Sequence, residues 1–156
     1  VNYELAKNLK LRTAFKYFDI TTDYKSGNLQ KPIQPNNRFF ANISYETTAK
    51  SNGAQWKLDV TFNNIGKQRL PNTTTNPIQY QLPEYSERYS LLNTQITRVF
   101  SESFEIYLGG ENLTNVQQKK PILGSDAPFG PNFDTTIVFA PIFGRAVYAG
   151  LRFKIQ

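Results

Sequence analysis

The sequence predicts an all-β chain that forms part of the wall of an antiparallel transmembrane β-barrel. Three observations predict it. Apolar and polar residues alternate over six segments, short and long connections alternate between them, and aromatic residues gather at one end of the segments. No run approaches the ~20 consecutive apolar residues of a membrane helix.

The first full segment sets Leu9, Leu11, Thr13, Phe15 and Tyr17 against Lys10, Arg12, Ala14 and Lys16. The second sets Phe39, Ala41, Ile43 and Tyr45 against Arg38, Phe40, Asn42, Ser44 and Glu46. In the third, Trp56, Leu58, Val60 and Phe62 oppose Lys57, Asp59, Thr61 and Asn63. The fourth places Leu92, Thr94, Ile96 and Phe100 against Asn93, Gln95 and Thr97. The fifth places Phe104, Ile106 and Leu108 against Glu105, Tyr107 and Glu111. The last sets Val147, Ala149, Leu151, Phe153 and Ile155 against Tyr148, Arg152 and Lys154, and residues 1–5 read as the tail of a seventh strand. Spans of about 9–12 residues suit tilted membrane-crossing strands and exceed the usual soluble strand. Arg98 and Arg145 fall on the apolar parity, near strand ends, where arginine costs little compared with the bilayer midplane. Phe18 and Ile20 break the register of the first segment and read as a bulge.

Tight turns are expected at Ala6–Asn8, Lys50–Ala54 and Ser101–Ser103, and long polar connections at 24–37, 71–88 and 116–140. Barrels in the outer membrane have short periplasmic turns and long external loops. On that pattern residues 9–24 run outward, the final strand runs inward, and the C-terminus is periplasmic. Tyr45, Trp56, Phe100, Phe104 and Phe153 then lie at the periplasmic strand ends, where amphipathic rings meet the bilayer interface.

Composition agrees. Twelve Phe and nine Tyr in a chain of mean hydropathy −0.49 suit a wall that is apolar outside and polar inside. With no Cys and no His, disulfide frameworks, CxxC centres, zinc fingers and histidine-dependent triads are excluded. The net charge of +6 raises the question of nucleic acid, but Lys119-Lys120 is the sole basic doublet, so no nucleic-acid partner is expected. A chain that begins at Val1 and contains no Met reads as a piece of a longer polypeptide.

The run Glu105-Ile106-Tyr107-Leu108-Gly109-Gly110-Glu111-Asn112-Leu113-Thr114-Asn115 resembles the penultimate strand of TonB-dependent outer-membrane receptors. Gln117-Gln118, Pro121-Ile122, Pro128-Phe129-Gly130 and Phe133-Asp134 resemble the form common in the Bacteroidetes. So does Ala140-Pro141-Ile142-Phe143-Gly144-Arg145 leading into Tyr148-Ala149-Gly150-Leu151-Arg152-Phe153. Upstream, Leu92–Thr97 and Gly66–Pro71 fit the same family. One departure stands: the chain ends Phe153-Lys154-Ile155-Gln156, whereas such barrels usually end on an aromatic, so Phe153 reads as a displaced assembly signal.

The resemblance implies a plugged barrel of about 22 strands, of which residues 1–156 are the C-terminal segment, without the plug and the N-terminal strands. It implies a bacterial outer-membrane location and active import of a scarce solute driven by TonB. The implied partners are outer-membrane lipid, the plug and remaining strands of the same polypeptide, the TonB complex through the N-terminal part, and surface lipoproteins or other complex partners. The signature residues are Gly110, Glu111, Asn112, Leu113, Asn115, Gly144, Arg145, Tyr148, Gly150 and Phe153.

Ligand-facing positions are expected on the external loops, at Tyr80, Tyr85, Asp126, Phe129 and Asp134. Asp126 and Asp134 share a loop, but two carboxylates fall short of the about 6–8 oxygens of a calcium site, so neither metal nor cofactor is expected. Gly109-Gly110 lacks phosphate-loop spacing and reads as a kink or a close approach of the plug, and Glu111-Asn112 as structural hydrogen-bonding groups. Lumen-facing Lys10, Arg12, Lys16, Lys57, Arg152 and Lys154 read as partners for carboxylates on the plug or missing strands, ahead of an anionic ligand. A rival reading makes the barrel a structural subunit of a larger surface complex, its loops docking partner proteins. An outer-membrane enzyme is the weakest reading, because no catalytic cluster is present, so no enzyme activity is expected.

Overall fold

Alternating β-branched, aromatic and polar residues place one set of side chains on each face of an extended strand, and that pattern yields strands here. The computed structural model describes residues 1–25 and 27–155. Its strands are β1 (Asn2–Ala6), β2 (Leu9–Tyr17), β3 (Thr21–Tyr24), β4 (Gly27–Gln30), β5 (Asn37–Glu46), β6 (Gln55–Ile65), β7 (Tyr89–Ser101), β8 (Phe104–Glu111) and β9 (Ala146–Phe153), with one 3-10 turn at Ile78–Tyr80. Seven form one antiparallel sheet in the order β1-β2-β5-β6-β7-β8-β9, and β3 pairs with β4 apart from it. The sheet is an open meander, not a closed barrel. Each strand lies beside its predecessor in the sheet, so β1 and β9 are free edges.

Short connections (7–8, 47–54 and 102–103) lie at one end and long ones (18–36, 66–88 and 112–145) at the other. The first turn needs a left-handed residue, supplied by Asn8 with φ 68°. The second is longer than expected. Its strands stop pairing at Glu46 and Gln55, although Thr47 still donates to the Trp56 carbonyl (2.9 Å) and Lys50 to that of Ala54 (3.0 Å).

Two corrections concern the outward end of β2. No bulge exists there, because β2 and β5 pair in unbroken register from Leu9↔Tyr45 to Tyr17↔Asn37. Nor does the strand run on to residue 24. It ends at Tyr17, and Thr21–Tyr24 turns back to pair with Gly27–Gln30. The long connections therefore begin at residues 18, 66 and 112, a few residues earlier than the alternation suggested.

Burial divides the molecule unevenly. Within the seven-strand sheet only Ile65, Thr97, Val99, Gly109 and Gly110 are buried. Most other buried residues lie in the long connections, and Leu70 and Pro35 are the largest side chains buried completely.

Candidate ligand-facing surface

Register converts each strand's alternation into rows across the sheet. One row of the apolar face runs Tyr3, Leu11, Ile43, Val60, Thr94, Gly110, Val147. The row nearer the short turns runs Leu9, Tyr45, Leu58, Ile96, Leu108, Ala149. At the turn edge of this face stand Tyr45, Trp56, Phe100, Phe104 and Phe153. Phe104 lies 5.6 Å from Phe100 and 6.5 Å from Phe153, centroid to centroid. Arg98 shares this edge, opposite Trp56 and Ile106. Its guanidinium lies over the Trp56 ring (5.0 Å) and near the Phe100 ring (5.5 Å), so the charge meets π faces at the aromatic level.

The opposite face is polar and its charges are sorted by height. Nearer the turns, each cation in the sheet lies opposite a carboxylate: Glu4↔Lys10, Glu46↔Lys57 and Glu105↔Arg152. The last pair forms the one ion pair among the described residues. Arg152 thus has its carboxylate within this chain, which corrects its assignment to missing strands or plug, whereas Lys10 and Lys57 lie across from Glu4 and Glu46 without forming an ion pair. Nearer the long loops the pattern changes. Lys16 lies directly opposite Arg38, and Arg12 lies between Asn2 and Asn42. These three cations line a depression of about 540 Å³ together with Phe18, Phe40, Asn63 and Tyr89. Arg38 was not among the lumen cations singled out from the sequence, although its parity placed it on this face.

Glycines on this face make room for tyrosines. A Cβ on Gly109 would collide with the Tyr148 ring, and one on Gly150 with the Tyr107 ring. Each tyrosine lies opposite the other's glycine, Gly109↔Tyr148 and Tyr107↔Gly150, and the Tyr148 hydroxyl donates to Gln95 Oε1 at 3.0 Å. The close neighbour at Gly109 is therefore a cross-strand ring of this chain. Gly110 gives space to Leu113.

The expected structural role of Asn112 is visible in its bonds. Its Nδ2 donates to the carbonyls of Val116 (2.8 Å) and Phe143 (3.2 Å), and its Oδ1 accepts from the Val116 amide (3.0 Å). Its own amide donates to Asn93 Oδ1 (2.9 Å). Asn115 Oδ1 accepts from the Arg145 amide (3.1 Å), and Gly144 packs against the Asn115 and Gln117 side chains. The signature stretch thus ties the exit of β8 to the entry of β9. Glu111 is exposed and pairs with Ala146.

Of the five expected loop positions, two meet: the Tyr80 hydroxyl donates to Asp126 Oδ2 across two loops. That bond to a carboxylate raises the Tyr80 pKa above its ordinary 10.0. The other three have different neighbours. Tyr85 bridges to Arg69, Phe129 lies tilted against Phe133 (5.4 Å between centroids), and Asp134 Oδ1 accepts from the Thr136 amide and hydroxyl (both 2.7 Å). Among the described residues no group of three or more Asp, Glu, His or Cys side chains could hold a metal. The residues that join the loops were not expected to do so, although Gly66–Pro71 and Gln117-Gln118 stand out in the sequence for their resemblance. Gln68 Nε2 and the Tyr89 hydroxyl both donate to the Phe139 carbonyl (2.8 and 3.0 Å), and Arg69 donates to that of Gln30 (2.8 Å). Buried Gln118 spans its own loop, donating to the Ile137 carbonyl (2.7 Å) and accepting from the Phe139 amide (2.9 Å). No local pattern marks an amide that bonds to a backbone group tens of residues away.

No protein-family model, curated protein or solved structure matches this chain.

Proposed function

We propose that this chain is the C-terminal part of the wall of a TonB-dependent outer-membrane receptor that imports a scarce solute. The observation that carries the reading is a double segregation: apolar from polar by face, and short from long connections by end. An apolar face with Val147, Leu151 and Phe15 each about two-thirds exposed suits hydrocarbon better than water. Free backbone groups on β1 and β9 cannot remain unpaired in lipid, so the remaining strands of the same polypeptide would complete the cylinder. The polar face then lines the lumen around a plug, and TonB acts through the N-terminal part.

The test uses the complete polypeptide in intact cells, with single cysteines at Ile78 and Phe129 (long loops) or at Lys50 and Glu102 (short turns). Residues 1–156 contain no Cys, so each introduced cysteine is the single one in this segment, and the unsubstituted polypeptide measures all other labelling as background. A membrane-impermeant maleimide should label the loop positions at once and the turn positions only after the outer membrane is permeabilised. Equal labelling of both sets would sink the reading.

A second reading, a structural barrel whose loops dock partner proteins, is favoured by one observation. Ile78 and Phe129 stand 85% and 93% exposed on the loops. Uptake separates the two: a receptor loses solute import when TonB is deleted, and a docking subunit does not.

A further inference from the structure

We infer that the upper part of the polar face is a binding site for a small organic anion carrying two or more carboxylate or phosphate groups. The inference deepens the receptor reading, since it takes this face as the mouth of a lumen.

The argument starts from the imbalance along the face. The lower three cations each have a carboxylate across the strand, so the chain carries matched charges there. The upper three do not. Lys16 and Arg38 occupy opposed positions of the β2–β5 ladder, with Cβ atoms about 5 Å apart, an arrangement that disfavours the sheet unless an anion lies between them. Arg12 is two steps down the same face of β2, beyond Ala14, and its guanidinium lies 5.8 Å from the Phe40 ring centroid. Among the described residues no carboxylate lines the depression that these cations share.

The rest of the lining indicates what kind of anion fits. Phe18 and Phe40 offer apolar faces, and Asn63 and Tyr89 offer hydrogen-bonding groups. A depression of about 540 Å³ falls within the ordinary range for small-molecule sites. Two cations side by side, one of them a planar fork, suit a ligand with adjacent anionic groups, and the rings suit its carbon skeleton.

The complete polypeptide, purified in detergent, would be titrated with phthalate as an aromatic dianion and with benzyl alcohol as an uncharged control, at constant ionic strength. Saturable phthalate binding is expected, weakened about tenfold by Lys16→Gln and about tenfold by Arg38→Gln. Lys57→Gln, which neutralises a cation outside the depression, should leave it unchanged. Without ligand at low salt, Lys16→Gln should melt no lower than the unsubstituted protein, because it removes a like-charge pair. Absent phthalate binding, or binding indifferent to Lys16 and Arg38, overturns the site. So does a lower melting temperature of ligand-free Lys16→Gln, which would mean that an acidic segment of the polypeptide already fills the position. Cysteine labelling separates the two failures. Correct labelling without phthalate binding removes the anion site alone, whereas failed labelling removes the receptor reading whatever phthalate does.

Discussion

The sheet and the loops of this chain follow opposite rules. In β2, β5 and β9 no residue is buried on either face. In the long connections, segments without regular structure bury Leu70, Leu123 and Ile137 and hold Gln68 and Gln118 in paired hydrogen bonds. Ordinary domains reverse this, with core in the strands and water around the loops. The difference teaches that the two regions find their stabilising surroundings in different places. The loops supply their own, while the sheet needs a medium on its apolar face and polar company on the other.

The comparison can be broken first where the regions join. Asn112→Ala removes four hydrogen bonds of one side chain and leaves alanine at φ 49°, so a loss of about 4 kcal/mol is expected. Hydrogen exchange should show it as early opening of the β8–β9 connection, with β2 and β5 unaffected. Next comes the loop core. Leu70→Ala should cost about 3 kcal/mol by denaturant unfolding, against under about 1 kcal/mol for Leu58→Ala on the half-exposed apolar face in detergent.

The apolar face has its own test. Ile43→Arg should cost about 2–3 kcal/mol when the protein folds into lipid bilayers, if its row lies near the midplane. A sheet facing water would tolerate the change within about 0.5 kcal/mol. A smaller effect, about 1 kcal/mol, is expected for Gly150→Ala, since the clash falls on the tip of the Tyr107 ring, which can swing away; Tyr107→Ala should relieve it.

The smallest effect concerns the tie between Tyr80 and Asp126. The folded state raises the Tyr80 pKa, so the contribution of this bond is complete below pH 10.0 and is lost as pH rises through the folded value. An ultraviolet titration should show Tyr80 ionising late, and Asp126→Asn should return it to the ordinary range.

Much of the sheet could be read from the residues. The parity of Leu11, Ile43 and Val60, the misfit of Arg98 and the structural part of Asn112 all emerged as expected, because side-chain direction repeats every second residue. The strand ends did not. Alternation loses meaning where the chain turns away, as it does after Tyr17, so that residues 21–24 read as a continuation of β2 and β4 as part of the long connection. The expected loop positions were only partly gathered: Tyr80 met Asp126, but Phe129 and Asp134 have local partners.

Which face each strand residue takes was determined by the sequence alone, since it depends only on the residue's place in its own alternation. Which residues lie opposite one another was decided only by the tertiary structure. Lys16 meets Arg38, and Glu46 meets Lys57, through register between strands whose pairing no local pattern specifies. The same holds for the loops, where Gln68 finds the Phe139 carbonyl 71 residues away. Local sterics act within a few bonds, whereas these partners are chosen by the closure of long segments against each other.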